Sequence, residues 1–261
     1  LVGSEMCIRD SVSDENFANL LLDFAVLRSL NIRVVLVHGA ASQIAAMALQ
    51  RSVEPSDLDG TEPVDAATLE LALTAANRLT HEILEGFTAN ELRGVSTNAV
   101  TARPKGIIDG NDYFFAGKAE RIDLAHLEGL LVQGNIPVIP PLGFDREGNT
   151  YRLNSDDLAR EVAVKLKAAK LIYVTTHDGL IHNGEVIRQI PNGDLDKILE
   201  KFRAESMDGS KHVRIFSYAV GPHPLPVTAL KEMACGTQGS HTMITSMGAI
   251  RTSIQVKNRR F

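Results

Sequence analysis

The chain has 261 residues with 44% apolar and 23% charged content, enough for one large α/β domain or two small ones and too apolar for a disordered chain. The net charge is −5 and the 27 Lys and Arg residues are scattered, so no basic stripe is available to nucleic acid, and no apolar run reaches the roughly 18 residues of a membrane helix. Two cysteines far apart, Cys7 and Cys235, fit a reducing compartment, so the cytoplasm is the expected location.

Leu1 to Ser11 shows neither helical nor strand periodicity, and its Met6 to Asp10 run resembles translated adaptor sequence. Residues 1–13 are therefore expected to be non-native or disordered. Phe17, Leu20, Leu21, Phe24 and Leu27 recur at helical spacing behind Ser13 and Asp14, which predicts an amphipathic helix over 14–30. The β-branched run Ile32 to Val37 predicts a strand covered on both faces. Ala41 to Gln50 is helical in pattern, and the turn formers of Ser52 to Pro63 predict a surface loop.

A long helix is then expected, capped by Asp65, stopped by Gly86, with Leu69, Leu73, Ala76, Leu79 and Ile83 facing the core. Val95 to Asp123, punctuated by Gly106, Asp109-Gly110 and Gly117, reads as antiparallel hairpins beside a parallel sheet. Leu124 to Val132 is a short helix and Ile136 to Ile139 a strand, followed by a hairpin around Arg146 to Asn149. Asn154 and Ser155 cap a helix whose face is Leu158, Val162, Leu166 and Ala169, leading into a strand over 171–175. Asn183-Gly184 between apolar residues predicts a further hairpin over 180–187. Beyond it come a polar helix over 194–205, a proline run over 221–226, a short helix over 228–234 and a strand over 241–245. A single domain over 14–247 and an aberrant tail over 248–261 are the expected organisation.

The chemistry concentrates at two junctions. At His38-Gly39-Ala40 a buried strand turns into a helix through small residues, which lets backbone amides approach an anion, although a tight βα turn explains Gly39 equally well. At the second, Asn154 and Asp157 can face a substrate or can serve as helix cap and first-turn acid. His177-Asp178 before Gly179 reads as a turn, and the histidines are too dispersed for a metal set.

The His38-Gly39-Ala40 junction, the helix start Asp65 to Glu70, and Asn154 to Ala159 through Lys165 to Ile172 together resemble the amino-acid-kinase family. Within it, Pro104 to Tyr113 with Gly117 and Arg121 to Asp123 is most similar to the kinase-like N-terminal domain of N-acetylglutamate synthases, and next to acetylglutamate kinases. The resemblance covers about residues 16–195. It implies a three-layer α/β/α sandwich with a mainly parallel central sheet and edge hairpins. It also implies an arginine-sensing regulatory domain of an acetyl-CoA:glutamate acetyltransferase in arginine biosynthesis, with acetyl transfer belonging to a separate domain absent from this sequence.

Under that reading the domain has no catalytic residues, no metal and no cofactor of its own; acetyl-CoA serves the other domain. Its ligands are N-acetylglutamate or glutamate and arginine, held in a crevice formed by His38, Gly39, Ala40, Asn154 and Asp157, and the intact protein is a homo-oligomer. The alternatives are an acetylglutamate kinase using ATP and Mg²⁺, and a binding module with no catalysis. Against the kinase, Ala40 replaces a second glycine, and Thr61-Glu62-Pro63-Val64 stands where kinases of the family place an arginine for the substrate carboxylate. The family's first strand, with its lysine and paired glycines, would lie before Asn16. Its loss would leave unpaired backbone in the sheet and a poorly stable chain.

Overall fold

The computed structural model describes residues 17–174 throughout and the backbone of strands at 3–8, 180–182, 185–187 and 219–220. The helix over 194–205, the proline run, the elements over 228–245 and the tail over 248–261 lie outside the described residues. The chain divides into two compact units, 1–171 and 172–261.

The first unit opens with a strand, β1 (Gly3–Ile8), where none was expected. It pairs in parallel with β2 (Arg33–His38), in register from Gly3↔Arg33 to Ile8↔His38. The expected gap beside β2 is thus filled, because the exposed amides and carbonyls of a buried strand recruit a neighbour through its backbone whatever its side-chain pattern. Between them runs α1 (Phe17–Ser29), burying Leu20, Leu21, Phe24 and Leu27 as expected, together with Asp23. The Oδ1 atom of Asp23 has no hydrogen-bond partner among the described residues, and burial raises its carboxyl pKa.

After β2 come α2 (Ala41–Arg51), a loop over 52–63 and the long α3 (Ala66–Ala89), capped by Asp65, whose side chain accepts from the Thr68 amide. The core stripe of α3 is Leu71, Ala72, Ala75, Ala76, Leu79, Ile83 and Phe87. Leu69 and Leu73, expected in the core, are only half-buried, because small alanines at 72, 75 and 76 let the helix sit close and turn that face inward. Gly86 does not stop the helix. A Cβ on it would lie 2.7 Å from Leu21 Cδ1 and 3.3 Å from Phe17 Cε1, so the glycine admits α1 against α3, while the helix runs on to Asn90. Phe24 and Phe87 meet edge-to-face at 5.0 Å in the same contact.

β3 (Gly94–Ser96) is a parallel strand beside β8 (Ile136–Ile139), not part of a hairpin, and β8 pairs in parallel with β2. The central layer of this unit therefore contains β1, β2, β8 and β3 side by side. The class is α/β, with helices on a parallel sheet as expected. The hairpins make a second, mixed sheet: β4 (Val100–Pro104) is antiparallel to β7 (Gly117–Ile122) and parallel to β9 (Leu142–Phe144), which pairs with β10 (Thr150–Arg152). At its tip β5 (Ile107–Ile108) and β6 (Asn111–Asp112) form a two-stranded hairpin. Helix α4 (Leu124–Val132) packs on β8, and α5 (Ser155–Leu166) packs on β1, β2 and β7. Lys167, at φ 52°, ends α5, so Ala169 lies past the helix rather than on its face.

β11 (Lys170–Val174) spans the division between the units. In the second unit β12 (Leu180–His182) and β13 (Glu185–Ile187) are antiparallel in the register that an Asn183-Gly184 turn requires, and β14 is a short strand at Ala219–Val220.

Candidate functional site

The β2–α2 junction is closed. His38, Gly39 and Ala40 are all buried, His38 and Ala40 completely, and only Ala41 to Gln43 at the start of α2 are half-open to solvent. Ala40 caps α2 without a side-chain bond, so its methyl is a core group rather than an obstruction in an open crevice. His38 Nδ1 lies 2.9 Å from the Gly39 carbonyl and Nε2 lies 2.9 Å from Thr80 Oγ1 of α3. Burial pushes the His38 pKa down to about 4; the Gly39 carbonyl opposes this and the charge of Arg152 adds to it. At neutral pH the imidazole is uncharged, fixed, and offers no charge to a ligand.

The second junction is organised around the turn over 57–62. Asp57 accepts hydrogen bonds from the amides of Gly60 and Glu62 through its two carboxylate oxygens, which folds the turn inward. Gly60 has φ +77°, and a Cβ there would sit 2.8–2.9 Å from the backbone of Leu153 and Asn154. Four successive carbonyls of this turn are taken by side chains. Arg152 Nη2 donates to Leu58 O at 3.0 Å and Asn154 Nδ2 to Asp59 O at 3.0 Å. Lys105 Nζ donates to Gly60 O and Thr61 O, both at 2.9 Å, and stands 5.2 Å from the centre of the Tyr113 ring.

Asn154 is thus both a helix cap and a clamp: its Oδ1 accepts from the Asp157 amide at 2.9 Å while its amide nitrogen holds the turn. Asp157 is exposed and lies 3.5 Å from Arg160, the arrangement of a first-turn acid. Of the five residues expected at the crevice, the structure keeps His38, Gly39 and Ala40 together inside the junction. It joins Asn154 to the turn and leaves Asp157 toward solvent.

Sequence reasoning did not single out Arg152, Asp156, Lys105 or Gly60. Arg152 is 2% exposed and gives two further bonds, to Pro141 O at 3.0 Å and Leu153 O at 2.6 Å. The signal for it was a guanidinium at an inward position of a three-residue strand, Thr150-Tyr151-Arg152. Asp156, 5% exposed, announces itself only as one of two acids in the first turn of α5. Phosphoryl transfer needs cations and amides arrayed about the moving group. Here Arg152, Lys105 and Asn154 direct donors to peptide carbonyls, and Glu62 lies exposed on the same turn. Among the described residues no group of three His, Cys, Asp or Glu side chains is gathered for a metal, and no helix is long and apolar enough to cross a membrane.

The profile of the amino acid kinase family matches residues 3–224. An amino-acid acetyltransferase of Pseudomonas fluorescens is 34% identical over 216 residues, which is 77% of this chain and 50% of that protein. One from Vibrio cholerae is 31% identical over 206 residues, 75% of this chain and 46% of that protein. This chain therefore spans about half the length of the curated relatives it matches. Among solved structures, N-acetylglutamate synthase from Neisseria gonorrhoeae complexed with coenzyme A and L-arginine aligns with TM-score 0.70 and 30% identity over 76% of this chain and 49% of that one. Carbamate kinase from Giardia lamblia, at 15% identity and TM-score 0.54 over 98% of this chain and 96% of that one, shares the fold alone.

Proposed function

This chain belongs to the amino acid kinase family, and on that footing we propose that it is the kinase-like, arginine-sensing domain of an N-acetylglutamate synthase and is itself inert as a kinase. The observation that carries the reading is the turn over 57–62. The resemblance implies that kinases of the family place an arginine for the substrate carboxylate at the end of this turn; here that stretch carries the acid Glu62, while Arg152, Asn154 and Lys105 hold the turn's four carbonyls. A site built this way retains shape and hydrogen-bonding capacity but lacks the charge neutralisation that phosphoryl transfer draws on, a loss worth orders of magnitude in rate. Retained shape without turnover suits an effector domain.

The Neisseria synthase, similar in fold and sequence, was solved with L-arginine and with N-acetyl-glutamate, which supports small amino-acid-derived ligands for this chain as well. In this reading acetyl transfer from acetyl-CoA to glutamate is not performed by the described crevice. The working form is a cytoplasmic homo-oligomer, and the domain needs no cofactor of its own.

The test is a pair of measurements on the same protein. Calorimetric titration with arginine is expected to show saturable binding, and an ADP-release assay with ATP, Mg²⁺ and N-acetylglutamate is expected to stay at background. Turnover dependent on N-acetylglutamate would assign the chain to acetylglutamate kinase instead. Silence toward arginine at millimolar concentration would remove the sensing role.

A further inference from the structure

At the amino ends of the central strands, opposite the β2–α2 junction, lies a cavity of about 450 Å³ lined by Arg28, Asn31, Arg33, Leu131, Gln133 and Gly134 among others. Three chain segments build it: the end of α1, the entry to β2, and the turn from α4 into β8. Arg28 is fixed there. Its Nη1 donates to Ile32 O at 2.9 Å, and its Nη2 would stand 3.3 Å from a Cβ on Gly134, whose φ of +84° keeps the turn tight beneath the guanidinium. Arg33, half-buried at the start of β2, lines the same cavity with no hydrogen bond or ion pair among the described residues.

The charge balance favours an anion. Two helices, α1 and α4, end at this cavity, and each C-terminus carries roughly half a negative charge. Two guanidinium groups outweigh them by about one positive charge, and no carboxylate among the described residues lies within ion-pair distance of either arginine. Asn31 and Gln133 add neutral amide donors at the rim, and Leu131 gives an apolar wall. We propose that this cavity is a second ligand site, for a small anion bearing carboxylate or phosphate groups, gripped by Arg28 and Arg33. Guanidinium forks match the two oxygens of either group, so the chemistry is shared, and the ligand's identity is a matter for titration.

The site stands apart from the kinase-like crevice and its failure would leave the arginine-sensing proposal untouched. The experiment is calorimetric titration of the full chain with citrate and, separately, with inorganic phosphate at constant ionic strength. Wild-type protein is compared with Arg33→Gln and with Arg51→Gln, a surface control whose side chain faces Glu70 instead. Arg33 supports no described contact, so its replacement leaves the fold intact, which a matching thermal melt checks. Saturable binding of at least one anion, weakened about tenfold by Arg33→Gln and unchanged by Arg51→Gln, is the expected result. Preference for citrate assigns carboxylates and preference for phosphate assigns phosphoryl groups. No saturable binding of either anion at about 10 mM overturns the proposal, and so does equal binding by wild type and Arg33→Gln.

Discussion

Thr80 in the fifth turn of α3 and His38 at the end of β2 meet at 2.9 Å across 42 positions of sequence, and both are buried. Thr80 Oγ1 is also 2.8 Å from Ala76 O, and His38 Nδ1 is 2.9 Å from Gly39 O. Each of these three contacts needs a hydrogen, yet a neutral imidazole and one hydroxyl supply only two. Ala76 O has a helical amide partner in any case, whereas the Gly39 carbonyl has no other donor among the described residues. The economical arrangement puts the proton on Nδ1 and turns the Thr80 hydroxyl toward Nε2.

Thr80→Val, nearly the same shape, removes that hydroxyl and leaves the buried Nε2 unpaired. We expect a loss of about 1–3 kcal/mol in urea unfolding, with Thr80→Ser close to wild type. Equal stability of the Val and Ser variants would contradict the assignment of the proton.

The same histidine sets a pH dependence. Its folded pKa of about 4 lies below the ordinary 6.5, so between these values the unfolded chain binds a proton that the folded chain refuses. Stability from this group is present in full above about pH 6.5 and falls as pH drops toward 4. Between pH 7 and pH 5 the loss is about 2 kcal/mol. Unfolding curves of wild type and His38→Gln across that range isolate it, because the carboxylates contribute equally to both. Parallel curves for the two proteins would rule the effect out.

Arg152 should behave as a structural cation. Arg152→Met removes the guanidinium donor from the Leu58 and Leu153 carbonyls, and one of two donors from the Pro141 carbonyl, which keeps the Leu153 amide, and is expected to cost about 3–5 kcal/mol. Removing its charge also relieves part of the downward pressure on His38, so in the variant the imidazole should titrate at higher pH by NMR. A variant of unchanged stability would mean that the turn over 57–62 is held by Asn154 and Lys105 alone.

Two glycines with similar backbone angles should respond differently to alanine. Gly60 at φ +77° has backbone atoms of Leu153 and Asn154 within 3 Å of the added carbon, while Gly106 at φ +72° has open space. Gly106→Ala is expected to cost about 1 kcal/mol from conformation alone, and Gly60→Ala at least 3 kcal/mol, as the turn separates from α5. Similar thermal melts for both variants would show that the turn is not clamped.

What could be read from the residues was what depends on neighbours a few positions apart. Helical spacing located α1 through α5, β-branched runs located β2 and β8, and Asp65 and Asn154 announced their caps, because periodicity and capping are local events. The family resemblance rested on the same local runs. Tertiary structure alone decided the rest. Gly86 reads as a stop, yet it is where Leu21 and Phe17 enter α3, since a missing side chain has one appearance in sequence and two uses in a fold. β1 has no strand pattern of its own and is a strand because β2 offers it a backbone edge. Arg152, Lys105 and the carbonyls of 58–61 are up to 94 residues apart, and nothing local says that these donors and acceptors share one turn. Only the fold shows that His38, Gly39 and Ala40 are buried while Ala41 to Gln43 stay half-open, because whether small residues approach a ligand or one another depends on what packs over them.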